Sequence, residues 1–195
     1  MFVGLMNSQN AKQKKFPSVS GGVGVLSFNG DIKPRRYFKV RPGYNLAIEQ
    51  MLGKMFSVSL NGIYGKLSAG GANYTNHFNF QSTIFQTDLR FTFSLPKIVS
   101  PYISAGGGYM TFNSYTDLKD DHDNPYYYWT DGSIKDIPQN SKDAKKAQTL
   151  IRDYRYETRL KGSTVNYSRI TYTIPLSLGV AIKALDRLSV KAGIT

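Results

Sequence analysis

The sequence predicts an all-β chain: an antiparallel up-and-down transmembrane β-barrel, about eight strands when complete, with seven present in these 195 residues. Three observations predict it. Apolar and polar residues alternate with period 2 over most of the chain, Gly and aromatic residues are abundant, and short and long connections take turns along the sequence. No apolar run approaches the ~20 residues that a membrane helix requires, so a bilayer crossing has to use strands.

The composition fits that class. Gly 18, Tyr 14 and Phe 11 stand beside only 19 % charged residues, an unusual balance for a soluble α/β enzyme. With no cysteine, disulfides, thiolate metal sites and cysteine nucleophiles are excluded. The net charge of +12 invites a nucleic-acid reading, but the charges form no stripe and no aromatic–basic RNA signature or Cys/His finger accompanies them. No nucleic-acid partner is expected.

Taken in order, the strands fall at about 18–28, 42–51, 55–67, 78–95, 101–113, 167–184 and 187–195. In the second, Tyr44, Leu46 and Ile48 oppose Asn45, Ala47 and Glu49. In the third, Phe56, Val58, Leu60 and Tyr64 oppose Ser57, Ser59 and Asn61. The fourth sets Phe85, Leu89, Phe91, Phe93 and Leu95 against Gln86, Asp88, Arg90, Thr92 and Ser94. The sixth runs Ile170, Tyr172, Ile174, Leu176, Leu178, Val180 and Ile182 against Thr171, Thr173, Ser177, Gly179, Ala181 and Lys183. The first and fifth are rich in Gly and small residues and are expected to be less regular. Several strands reach ~10 residues or more, the length of a tilted membrane-spanning strand.

Connections after the second, fourth and sixth strands are short (52–54, 96–100, 185–186). Those after the first, third and fifth are long (29–41, 68–77, 114–166). A transmembrane barrel divides its periplasmic turns from its extracellular loops in this way. Residues 17–195 are therefore read as one barrel, carrying a long extracellular loop at 114–166. Residues 1–16 read as a signal-peptide remnant and amino-terminal tail, from the apolar Met1 to Met6 followed by polar residues and Lys12, Lys14 and Lys15. Because bacterial single-chain barrels have even strand numbers, an eighth strand is expected outside this fragment.

The pattern singles out two charge sets. Glu49, Asp88, Arg90, Lys183 and Lys191 fall on the polar face and are expected as barrel-interior charges that pair with one another. Lys33, Arg35, Arg36, Lys39 and Arg41 crowd one loop and are candidate ligands for lipopolysaccharide phosphates. Period 2 alone does not say which face points inward. A soluble lipocalin-like barrel with an apolar interior, binding a small apolar ligand, is the alternative.

The long loop holds Asp117, Asp120, Asp121, Asp123 and Asn124, oxygen ligands of the kind calcium takes, but without the EF-hand order or its closing Glu. A solvated acidic loop is the expectation; no metal or cofactor is expected. Tyr126, Tyr127, Tyr128 and Trp129 offer either a contact platform or packing for the loop base, with packing preferred. Ala144, Ala147, Leu150 and Ile151 have helical spacing behind Ser141, which suggests a short helix. A hydrolytic site would need a histidine-oriented nucleophile; only His77 and His122 exist, and Ser82 near His77 lacks oxyanion donors on a strand. No catalytic residues are assigned, and an enzyme is not expected.

Gly22-Val23-Gly24-Val25 before Phe28-Asn29-Gly30-Asp31, Arg41-Pro42-Gly43-Tyr44, Ile63-Tyr64-Gly65-Lys66-Leu67-Ser68, Phe78-Asn79-Phe80 with Ser82, and Ser100-Pro101-Tyr102 with Ala105-Gly106-Gly107-Gly108 occur in this order. Together they resemble the small outer-membrane barrels of Bacteroidota, both the PorG-like type IX secretion accessory barrels and the OmpA-like amino-terminal barrels. The resemblance covers about residues 17–114, and 168–195 more weakly. It implies a porin-like protein of the cell envelope in a Gram-negative outer membrane, with a structural or accessory role in type IX protein secretion or as the barrel of an envelope-anchoring protein. Its implied partners are outer-membrane lipids, lipopolysaccharide, and secretion-system or envelope proteins.

Overall fold

The computed structural model describes residues 2–7, 17–29, 40–70, 79–160, 168–185 and 188–195. The chain is all-β. The main strands are β1 (Phe2–Asn7), β2 (Ser18–Leu26), β3 (Arg41–Met51), β4 (Phe56–Gly70), β5 (Asn79–Ser94) and β6 (Val99–Thr116). Three two-residue strands lie in the long loop: β7 (Tyr127–Tyr128), β8 (Ile134–Lys135) and β9 (Thr158–Arg159). After them come β10 (Ile170–Thr173), β11 (Leu176–Leu185) and β12 (Leu188–Ile194).

The seven strands that the alternation marks are all present, with β10 and β11 sharing the sixth. Each pairs antiparallel with its neighbour in sequence, from β2 through β6 to β10 and β11 and on to β12, giving an up-and-down sheet that curls. The break between β10 and β11 falls at Pro175, which has no N–H to give to the ladder. Its carbonyl still accepts from Gly106 N at 3.1 Å, so the line of the strand is held across the break.

Phe2–Asn7 departs from expectation. Where the sequence reading assigns 1–16 to a signal remnant and tail, with the eighth strand outside the chain, the structure pairs Phe2 to Asn7 with Gly193 to Leu188 on one side. On the other side, Phe2 to Met6 pair with Gly24 to Ser20. These six residues thus bridge the two edges of the seven-stranded sheet. A short apolar run does not distinguish a strand from a targeting segment by periodicity; here it pairs as a strand with the edges of β2 and β12. Residues 8–16 lie outside the described residues.

The glycine-rich strands are also more regular than expected. β6 pairs with β5 without a register shift from Gln81–Tyr115 to Ser94–Tyr102. Glycine is required there by close approach: a Cβ on Gly106 would stand 2.0 Å from the Leu89 carbonyl oxygen, and one on Gly108 would stand 2.2 Å from that of Thr87. Omitting the side chain lets the two backbones come together, so glycine serves the ladder in this strand instead of disrupting it.

The connections keep the expected asymmetry. The described short turns, 52–55 and 95–98, gather at one end of the sheet, and the folded part of the long loop, 117–160, sits at the other. The helix expected between Ser141 and Tyr154 is reduced to one 3-10 turn, Ala144–Lys146. Asp143 makes no side-chain cap, Ala147 turns extended at φ −62° and ψ 125°, and the following chain pairs with β8 through Lys135–Thr149 and Leu150 N to Ile134 O at 2.8 Å. Tertiary pairing overrides a weak local helical pattern here.

Candidate functional site: the interior and the two ends of the barrel

The two faces of the sheet are sorted in the inverse of a soluble protein. Leu46, Phe91 and Leu176 are 61 %, 62 % and 65 % exposed, whereas Ser57 and Asp88 are each 2 % exposed. Apolar residues face outward along β3, β4, β5 and β11, and the inward face is mostly Ser, Thr, Asn and charged residues, with Ala47, Ile63 and Ile84 buried among them. The alternation left this choice open. Strand curvature settles it, because only the concave face is buried.

Inside, the charges pair. Arg90 Nε lies 2.5 Å and Nη2 2.9 Å from the two carboxylate oxygens of Asp88, a bidentate contact from side chains two residues apart on the same inward face. Asp88 also accepts from Gln86 Nε2 at 2.7 Å and Asn61 Nδ2 at 3.2 Å. Across the interior, Arg90 Nη1 donates to Ser177 Oγ at 2.6 Å and Thr195 Oγ1 at 3.3 Å. A second pair joins Lys191 Nζ to Glu49 Oε2 at 2.7 Å, with Ser57 Oγ donating to Glu49 Oε1 at 2.5 Å. These two clusters give each buried charge an opposite charge and a hydrogen bond, the condition under which burial is tolerable.

Tyr102 fills the space between them. Lys191 Nζ sits over its ring at 5.5 Å, within cation–π range. Gly179 and Gly193 make room for this ring, since a Cβ on either would stand 2.5 Å from the Tyr102 hydroxyl. What remains empty is a cavity of about 90 Å³ between Glu49, Arg90, Tyr102 and Lys191. That is room for several waters, each needing ~10–15 Å³ of such space.

Of the five expected interior charges, Glu49, Asp88, Arg90 and Lys191 face inward within the barrel, and Lys183, paired with the buried Ser189, falls on the same face at its rim. Lys183 is exposed towards the short-turn end, where β11 shifts register between Lys183 and Leu185. Of the loop cations, Arg41 is described: its Nε donates to Ser68 Oγ at 3.1 Å on the neighbouring strand β4. Lys33, Arg35, Arg36 and Lys39 lie outside the described residues, as does His77.

At the loop end, Asp117 is fully buried just after β6. Asn79 anchors this junction by accepting from Asp117 N at 2.8 Å and donating to Asp117 O at 3.2 Å. Arg152 Nε stands 3.9 Å from Asp117 Oδ2, and its guanidinium also bonds the Tyr128 hydroxyl and lies 5.3 Å from that ring's centroid. Burial pushes the Asp117 carboxyl up to about 6, with Arg152 opposing and Asp153 and Glu157 adding to the rise. Tyr126 is buried and its hydroxyl accepts from Asp153 N at 3.2 Å; Trp129 Nε1 donates to Ile137 O at 2.9 Å. The aromatic run is thus used largely to hold the loop on its own base.

The remaining acidic residues do not assemble around Asp117. Asp120, Asp121 and His122 bring ligand atoms within 4.8 Å of one another at the surface. Asp120 is already occupied, accepting from His122 N, Asn124 N and Asn124 Nδ2 at 2.8–3.1 Å. His122 Nδ1 lies 2.6 Å from Asp121, while Ser82 is buried and accepts from Ser114 Oγ at 3.0 Å. Sequence reasoning missed the roles of Tyr102, Arg152 and Asn79, whose partners lie on distant strands. The glycines at 179 and 193 were the available signal for Tyr102.

The fold and its interior define a β-barrel-like, all-antiparallel protein with a charge-paired polar inside and an apolar outside. Comparison with family models, with curated proteins and with solved structures returned no match.

Proposed function

We propose that this chain is an outer-membrane-type β-barrel that spans a lipid bilayer and has a structural or accessory role in the Gram-negative cell envelope. The observation that carries the reading is the inverted sorting of polarity. On β4 the outward face is apolar from Phe56 to Tyr64, apart from Gly62, and becomes polar at Lys66; on β5 it runs from Phe93 to Phe85, with Thr87 the one polar residue, and becomes polar at Thr83. Eight residue intervals at ~3.4 Å give about 27 Å of strand. Tilted by ~40°, that is about 20 Å of depth, near the ~25 Å apolar band of outer-membrane barrels. Lys66 pairs with Thr83 and Thr83 with Asn113, so the change to polar residues forms one rung across three strands. The rung below it contains Tyr64 and Phe85, consistent with an aromatic girdle.

A soluble lipocalin-like barrel needs an apolar interior with room for a ligand, and the polar lining and small cavity argue against it. The narrower assignments, a PorG-like accessory barrel of type IX secretion or an OmpA-like anchoring barrel, rest on the sequence resemblance. Refolding the chain into detergent and lipid vesicles tests the membrane reading. Heat-modifiable gel migration and co-flotation with vesicles are expected; a protein that stays in the aqueous phase with unchanged migration refutes it. Co-purification with secretion components from a Bacteroidota envelope tests the narrower role.

A further inference from the structure

We infer that the outer face of β3–β5 carries a seat for an anionic, phosphate-bearing lipid, its acyl chain lying in a groove over Gly62 and Thr87 and its phosphate meeting Lys66. The inference rests on the membrane reading above. Gly62 and Thr87 are directly paired across β4 and β5, so two short residues coincide in the middle of the apolar face. Large side chains stand on both sides along the strands: Tyr64 and Phe85 towards the loop end, Leu60 and Leu89 towards the turn end. The result is an apolar groove of about 370 Å³ on the outside of the sheet, within the ~300–1,000 Å³ range of small-ligand sites.

Gly62 differs from the glycines that close approach requires. A Cβ placed on it meets nothing nearer than the Leu46 carbonyl oxygen at 3.9 Å, whereas on Gly65 of the same strand it would meet Leu26 at 2.5 Å. Close packing, which also sets the Pro42 carbonyl oxygen at 2.9 Å, therefore explains Gly65 but not Gly62. The effect of Gly62 is the hollow itself, which a membrane chain can enter and a folded protein side chain does not fill.

The loop end of the groove determines the class of lipid. Tyr44 and Tyr64 are paired neighbours there, both exposed on the outward face. Lys66, also exposed and outward, lies two residues beyond Tyr64, about 7 Å further along the strand. An acyl chain in the hollow therefore has its headgroup at the level of two phenolic hydroxyls and one ammonium, a set that attracts a phosphate bearing net negative charge.

Native mass spectrometry on the full chain in detergent, with added phosphatidylglycerol or phosphatidylcholine, tests this. The wild type is expected to retain phosphatidylglycerol about tenfold better. Lys66→Gln should abolish that preference; Gly62→Leu and, independently, Thr87→Leu should cut retention of both lipids about tenfold while heat-modifiable migration persists. Wild-type retention in both groove-filling variants, or no preference in the wild type, overturns the seat and leaves the membrane reading intact. Failure of the wild type to insert into vesicles overturns both.

Discussion

Replacing Arg90 by Met should destabilise the barrel by about 3 kcal/mol. The substitution removes two short hydrogen bonds to Asp88 and those to Ser177 and Thr195, tying β5 across the interior to β11 and the end of β12. Among the described residues, Asp88 keeps Gln86 and Asn61 as donors and is left as a buried carboxylate without the Arg90 cation. Breaking a buried pair by removing one partner costs about 3–5 kcal/mol. The cavity that Arg90 lines would widen towards Asp88 in the variant and admit water, which places the expected loss at the lower end of that range. Adding Asp88→Asn to Arg90→Met removes the uncompensated charge and should recover about 2 kcal/mol. Equilibrium urea unfolding of the vesicle-bound protein, followed by far-UV circular dichroism, provides the free energies. If Arg90→Met lies within 1 kcal/mol of wild type, or the double variant is no better than the single, the pair does not secure the interior and the reasoning fails.

Three further outcomes are expected. Gly193→Val should drive the Tyr102 ring from its place, since even a Cβ at 193 stands 2.5 Å from the hydroxyl; a changed tyrosine near-ultraviolet signal and about 2 kcal/mol lost are expected, and an unchanged spectrum would count against the packing described. Leu89→Arg, in the middle of the outward apolar face, should cost about 2–4 kcal/mol in vesicles and little in detergent; an equal cost in both would mean that residue 89 does not face lipid. The loop should also respond to pH through Asp117. Its folded-state pKa of about 6 exceeds the unfolded value, so its contribution is fully present below about pH 4 and is lost as pH rises through 6, by at most about 3 kcal/mol. Denaturant melting of the loop, read by Trp129 fluorescence, should therefore occur at higher denaturant at pH 4.5 than at pH 7, with the difference abolished in Asp117→Asn. Asp120 and Asp131, held below their ordinary range chiefly by hydrogen bonds from Asn124 and Ser133, act in the opposite sense, and only as pH falls below about 4.

The sequence by itself determined the strands and their order, because period-2 alternation and the exchange of short and long connections are local properties. It located Glu49, Asp88, Arg90 and Lys191 on one face for the same reason. It placed Lys183 on that face as well, but that this residue sits exposed at the rim depends on where the barrel ends, which alternation does not mark. It also read a helix behind Ser141, where pairing to β8 has the stronger claim on the backbone. Which face lies inside is a property of curvature, and alternation is symmetric with respect to it. The partners of Arg90 at Ser177 and Thr195, the cleft that holds Tyr102 between Gly179 and Gly193, and the pairing of Phe2–Asn7 with both edges of the sheet all join residues far apart in sequence. Only the tertiary structure decided these, because strand curvature and cross-barrel distance bring such residues together and neither is encoded in local periodicity.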